Sequence, residues 1–336
     1  MATSIAPPQE PNRADWAGWV IVAFIGGSGP AAINFALEGS TPAVISGMRM
    51  FVAAIMLSAY TVATGRELLP PWHPAARKAW IYGAAAGFFG YAMPFTLFPL
   101  AQTQVSSIMA GIVMAFLPVM SIIMAALFAG EPLTKRTLFG VVTGTLGVLI
   151  LIGPAIFSGA DATVVGIVLL LCAVFGYAAM GVIMRRAPDY PARSFAATMM
   201  ISASLMTMPF MLMSGFDGVT TQGWLSMLYL GILPTGLTSI AIITVVRRAG
   251  AAFLSTAAYA SPVISVILGL LFFAEPLLLN QIIGLLTIFA GVAMSQGKVG
   301  QLHKAIWPRI VVTAFPNRKT RSPATSQTTS PPRADA

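Results

Sequence analysis

Charge is what this sequence has least of. Its 336 residues carry 19 Lys and Arg and 10 Asp and Glu, so 9% are charged, where a soluble domain has about 25%. With 57% of the chain hydrophobic, so few charges cannot cover a water-facing surface. That balance excludes a soluble enzyme, a disordered scaffold and a nucleic-acid module, despite a net charge of +9. Cysteine is scarcer still. Cys172 stands alone, which excludes a disulfide framework and a cysteine-based metal site. The two histidines, His73 and His303, lie outside the apolar stretches and leave too little for zinc or for a Ser–His mechanism within the membrane. No Gly-Lys-Ser/Thr phosphate loop is present. No acid falls at the middle of an apolar stretch either, which excludes a two-acid intramembrane protease and argues against obligate exchange of protons for organic cations. Neither metal nor cofactor is expected.

What the chain does have is apolar length. Ten stretches are near the span that a hydrocarbon core of about 30 Å demands: 16–37, 42–63, 79–100, 105–129, 137–157, 164–184, 194–214, 223–246, 251–273 and 279–296. Lipid offers no partner to a bare amide, so these must be helices. Residues 1–15 read as a cytoplasmic N-terminal tail, and 298–336 as a basic, disordered cytoplasmic tail suited to anionic lipid. With the N-terminus placed in the cytoplasm, all but one of the 19 basic residues fall in cytoplasmic loops and tails. The loops 38–41, 101–104, 158–163, 215–222 and 274–278 receive none. The exception, Arg49, is inside a span. An inner-membrane, multi-pass protein with both termini in the cytoplasm is expected.

The halves repeat. Residues 118–148, PVMSIIMAALFAGEPLTKRTLFGVVTGTLGV, superpose on 262–292, PVISVILGLLFFAEPLLLNQIIGLLTIFAGV, with identities at Pro118/Pro262, Ser121/Ser265, Glu131/Glu275, Pro132/Pro276, Gly140/Gly284 and Gly147/Gly291. Five spans per half is odd, so the second half enters the membrane inverted. The expected fold is an all-α integral membrane protein of ten transmembrane helices, built as two inverted five-helix repeats, 16–157 and 158–297. Inverted repeats are the architecture of secondary transporters, whose halves rock about a midplane site.

Each paired segment is a proline-centred apolar helix running into Gly-Glu-Pro-Leu or Ala-Glu-Pro-Leu and then a glycine-spaced helix. This resembles the EamA domain, which occurs twice in ten-helix members of the drug/metabolite transporter superfamily. The stretch Ile33 to Gly39 and Met48-Arg49-Met50-Phe51 are similar to that family's opening, although Gly-Gly-Ser-Gly-Pro (26–30) stands where many members have a Trp-Gly pair. The resemblance, over 16–297, implies export of small organic metabolites, drugs or amino acids by alternating access. It also implies a central cavity bounded by helices 1, 3, 4, 6, 8 and 9, with 5 and 10 packed outside. A receptor or assembly protein is the alternative, and an intramembrane enzyme a more remote one.

Helix breaks point to where such a cavity lies. Gly29 and Pro30 fall in span 1, Pro94 in span 3, Pro118 in span 4, Pro234 in span 8 and Pro262 in span 9. Proline removes a helical hydrogen bond, and in lipid the freed carbonyl must face protein or water. Arg49, about 10 Å inside span 2 at 1.5 Å per residue, needs a polar interior and a partner. Asn34 and Glu38 lie at similar depth, so Arg49 could hold a substrate carboxylate, close an outer gate with Glu38, cap carbonyls or snorkel outward, and Glu38 could serve coupling. The other cavity candidates, by depth and type, are Tyr91, Phe95, Ser107, Tyr177, Thr235, Thr238, Ser239, Thr256, Tyr259 and Ser265. Glu131 and Glu275 read as helix caps of their own Glu-Pro turns. Gly140, Gly144 and Gly147 read as packing positions.

Overall fold

A computed structural model describes residues 11–69, 76–188, 190–249, 253 and 256–295, and every regular element among the described residues is a helix. In chain order these are α1 (Arg13–Leu37), α2 (Pro42–Ala63), α3 (Arg77–Gln102), α4 (Ser107–Met114), α5 (Leu117–Ala129), α6 (Lys135–Phe157), α7 (Asp161–Arg186), α8 (Ala192–Ser214), α9 (Thr221–Val245), α10 (Ala257–Phe273) and α11 (Leu279–Ser295). Seven of them, α1 to α3 and α6 to α9, are long and apolar enough to cross a membrane. The pair α4 and α5, bent by 40°, passes as one further span, and α10 and α11 are shorter apolar helices. The tail 298–336 and His73 lie outside the described residues.

Short polar residues set the starts. Thr41, Ser106, Thr134 and Thr220 accept the backbone N–H three residues on, at 3.4, 3.1, 3.2 and 3.1 Å, and so cap α2, α4, α6 and α9. Asn12 and Asp15 close a reciprocal capping box at α1, at 3.1 and 3.0 Å. Two helices end in a left-handed residue, α5 at Gly130 (φ 69°) and α10 at Ala274 (φ 48°). These two positions correspond in the repeated segments, so the backbone of the turn recurs along with its sequence.

Contacts gather the loops at two ends. At one, the Thr220 N–H donates to Gly39 O at 3.0 Å, and Asn34 and Ser107 meet Glu275. At the other, Arg185 pairs with Glu131, the Thr61 hydroxyl donates to Arg193 O at 3.3 Å, and Arg136 Nε donates to Met294 O at 2.9 Å. The basic residues of the described loops belong to this second end.

α6 and α11 pack as the glycine spacing implies. A Cβ at Gly147 would stand 2.8 Å from Gly284 O, and one at Gly140 2.6 Å from Gly291 O. These helices present Phe139, Leu279 and Leu286 outward, a surface for acyl chains rather than water.

The breaks take a specific form. α1 passes through a π-turn at Ile21–Ile25, α3 through one at Phe88–Ala92 and α9 through one at Gly231–Leu237. Such turns gather at functional sites. Pro94 and Pro118 each stand in the first turn of the helix that follows its break, and Pro30 does so after Ser28. Pro262 is a correction: it lies inside a continuous α10 and breaks nothing. Only its counterpart, Pro118, marks a bend.

Candidate functional site

The π-turn of α9 shows how the break builds a site. Pro234 has no N–H, so the carbonyl four residues back, Leu230 O, loses its helical donor. The Thr235 hydroxyl replaces that donor, giving its proton to Leu230 O at 2.8 Å. The Thr235 hydroxyl oxygen in turn accepts from Arg49 Nε at 2.8 Å. The Thr238 hydroxyl likewise donates to the carbonyl five residues back, Leu233 O, at 3.2 Å. Gly231 lets this turn press against α2, since a Cβ there would stand 3.1 Å from Arg49 O.

Arg49 is 5% exposed. Its guanidinium carbon lies 3.7 Å from the centroid of the Phe95 ring, a desolvated cation–π contact of about 2 kcal/mol. Phe95 is held in turn by edge-to-face contacts with Tyr91 and Tyr177, centroids 5.8 and 6.1 Å away. The arginine therefore has a fixed position: Thr235 on one edge and an aromatic face beneath it.

It looks into a cavity of about 490 Å³, inside the range of roughly 300–1,000 Å³ usual for small-molecule sites. Of the residues singled out by sequence, the cavity is lined by Arg49, Phe95, Tyr177, Thr238 and Ser265, with Pro30, Pro234 and Pro262. The wall also includes Val22, Gly26, Gly27, Gly111, Met114, Leu117, Ile242 and Ser261, and no acid. Gly26 and Gly27 lay in the flagged break of span 1. Gly111 and Ser261 carried no signal of their own; a Cβ at Gly111 would collide with Ser265, so the residue's smallness is what leaves the wall thin.

The other candidates lie elsewhere. Tyr91 and Ser239 line a second cavity of about 480 Å³ with Tyr190 and Phe195. Thr235 stands behind Arg49. Thr256 accepts from the Trp19 indole at 2.7 Å, and Tyr259 packs on Phe289. The Pro94 ring packs against Gly176. Gly29 is buried in the first turn after its break, with open space where a Cβ would be.

Glu38 is not beside Arg49. It is exposed and accepts from Gln222 Nε2 at 2.7 Å. α2 turns Arg49 towards α3 and α9, whereas Glu38 ends α1 at the surface, so the outer gate between them is absent from this conformation.

Asn34 and Ser107 belong to a different construction. The Glu275 carboxylate accepts the backbone N–H of Ser107 and of Ile108, each at 2.9 Å, together with the Ser107 hydroxyl and Asn34 Nδ2, each at 3.0 Å. Gln102 extends the cluster, donating to Asn34 Oδ1 at 2.9 Å and to Pro30 O at 2.8 Å. Glu275 thus caps a helix, but α4, far from it in the chain, rather than its own; at α11 the Gln281 side chain accepts the Leu278 N–H at 3.0 Å. Glu131, its counterpart, pairs with Arg185 at the surface, while Thr134 caps α6. Spacing identifies a carboxylate near a helix start, but not which start the folded chain brings to it.

Comparison with known proteins gives a consistent family. The sequence model of the EamA-like transporter family matches this chain twice, over residues 16–153 and 164–296. The uncharacterized transporter YdfC of Bacillus subtilis is 25% identical over 295 residues, which cover 86% of this chain and 91% of that protein. The uncharacterized inner membrane transporter YedA of Escherichia coli K12 is 26% identical over 280 residues, covering 82% and 88%. A chain of known crystal structure superposes with a TM-score of 0.59 over 84% of this chain and 96% of its own, at 20% identity. That last likeness concerns the fold alone.

Proposed function

We propose that this chain, which belongs to the EamA-like transporter family, exports small organic metabolites or drugs by alternating access around the Arg49 cavity. The observation that carries this reading is where the cavity sits. Its wall is drawn from both family matches, from α1 to α5 on one side and from α7, α9 and α10 on the other, and it lies against the broken turns. Rocking of one half against the other would open such a site to either face in turn.

In this reading the eleven helices form ten spans, with α4 and α5 as one bent span, arranged as two inverted five-helix repeats over 16–157 and 158–297. Both termini are in the cytoplasm of a cell with the protein in its inner membrane, because basic loops stay on the cytoplasmic side. The basic tail is suited to anionic lipid there.

The test is counterflow in proteoliposomes across amino acids, purines and amphiphilic drugs. Exchange of at least one class is expected, and movement of no solute across that panel would sink the transport reading. Orientation is tested separately by single cysteines in a background without Cys172. Positions 161 and 217 should label from outside and 185 from inside; the reverse pattern would overturn the proposed topology without touching transport.

A further inference from the structure

Resting on that reading of the cavity, we infer that its solute is a small organic anion with an apolar body, and that Arg49 is the solute's counter-charge. The chemistry meant is a carboxylate, or a group of like shape and charge, on an aromatic or branched aliphatic frame.

The charge balance of the site comes first. Arg49 is buried, and no acid is among the residues lining its cavity. Glu131 is paired with Arg185 at the surface. Glu38 is taken by Gln222 and Glu275 by the start of α4. A guanidinium out of water with no anion near it is costly, and what the chain does not supply a bound solute can. An anion cancels the charge. A neutral solute leaves it standing, and a cation adds to it.

Hydrogen-bond accounting agrees. Arg49 has five N–H donors, and Nε alone has a protein acceptor among the described residues. The serine and threonine hydroxyls of the wall do not compete for an incoming anion, because their protons are committed to carbonyls: Thr238 to Leu233, Ser261 to Ala257 and Ser265 to Ser107; the Tyr177 hydroxyl, also in the wall, can join Arg49 as a donor. Foremost among the donors left over are those on the two terminal nitrogens of one planar fork, which matches a carboxylate edge. The remaining wall, with Gly27, Met114, Leu117 and Ile242, offers little to a polar body and suits an apolar one.

The test uses the full chain in lipid nanodiscs and three probes of one frame: 3-phenylpropionate, its primary amide and 3-phenylpropylamine. Equilibrium binding should favour the carboxylate over both others by roughly tenfold or more, the scale of one charge-assisted contact. Arg49→Gln should bring carboxylate and amide level, and Arg49→Lys should keep part of the preference. Equal or tighter binding of the amide or amine by the wild type overturns the inference without any variant being needed. So does a full preference retained in an Arg49→Gln protein that is monodisperse and melts with the wild type. Counterflow separates this inference from the one beneath it. Exchange of the amide or amine without the carboxylate overturns the anion and leaves transport standing. Exchange of no solute overturns transport, and the binding ratio still decides the anion site.

Discussion

Glu131 and Glu275 hold the same place in the two repeated segments, yet the fold gives them different work, and substitution should separate them. Glu275 receives two backbone N–H groups of the first turn of α4, the Ser107 hydroxyl and the Asn34 amide. A hydrogen bond to a charged acceptor contributes about 1.5–3 kcal/mol, and a carboxylate at a helix start gains further from the helix dipole. Because Glu275 is only half-buried, water replaces part of what is removed. Glu275→Ala should therefore cost on the order of 2–4 kcal/mol, less than the sum of its bonds. Glu275→Gln keeps one acceptor oxygen and loses the charge, for about 1–2 kcal/mol. Glu131 makes one exposed ion pair with Arg185, which is worth about 0.2–1 kcal/mol. The assay is thermal unfolding of each variant in the same detergent at one scan rate. Both Glu275 variants should melt several degrees below wild type, with Ala below Gln and Glu131→Gln close to wild type. Equal shifts for Glu131→Gln and Glu275→Gln, or none at Glu275, would refute the clamp on α4.

The left-handed turns supply a second comparison by the same thermal assay. Ala274 at φ 48° bears a Cβ in a region that costs about 1–2 kcal/mol, against an entropic cost of about 0.5–1 kcal/mol for glycine. Ala274→Gly should raise stability by about 0.5–1 kcal/mol and Gly130→Ala lower it by about 1 kcal/mol; a destabilised Ala274→Gly would contradict the turn. A third concerns the close seam of α6 and α11. A Cβ at Gly291 would stand 2.6 Å from Gly140 O, whereas Gly153 on the same α6 has nothing within 4 Å. Gly291→Ala should cost about 1–3 kcal/mol by overpacking, and Gly153→Ala should leave the melting point unchanged or higher. The reverse order would mean that the seam is not in contact.

Most of the framework was legible from residue order, because the properties behind it are local. An apolar run long enough to cross lipid, a proline that removes a donor, and a threonine or serine that caps the next turn each act within a few residues of where they are written. The Glu-Pro turns were marked by their repetition, but the left-handed backbone at Gly130 and Ala274 was not. Arg49 was legible as an exception, since a charge within an apolar stretch stands out without knowledge of its surroundings. Pro262 was misleading because the same residue that ends a helix at Pro118 is absorbed within one at α10; a missing N–H says a bond is lost, not that the helix must bend.

What order alone could not supply is the partner of each polar group. Arg49 meets Thr235 across a separation of 186 residues, and Asn34 meets Glu275 across 241. In the bilayer a polar side chain without a partner is costly, so the sequence determined that Arg49, Asn34 and Glu275 would need partners. Which groups satisfy them depends on the crossing of helices far apart in the chain, and that crossing is decided by close packing at positions such as Gly231 and Gly291. Hydropathy has a sign and a length but no direction around the helix. The tertiary structure supplied the direction, turning Arg49 away from Glu38 and into a cavity that holds no acid.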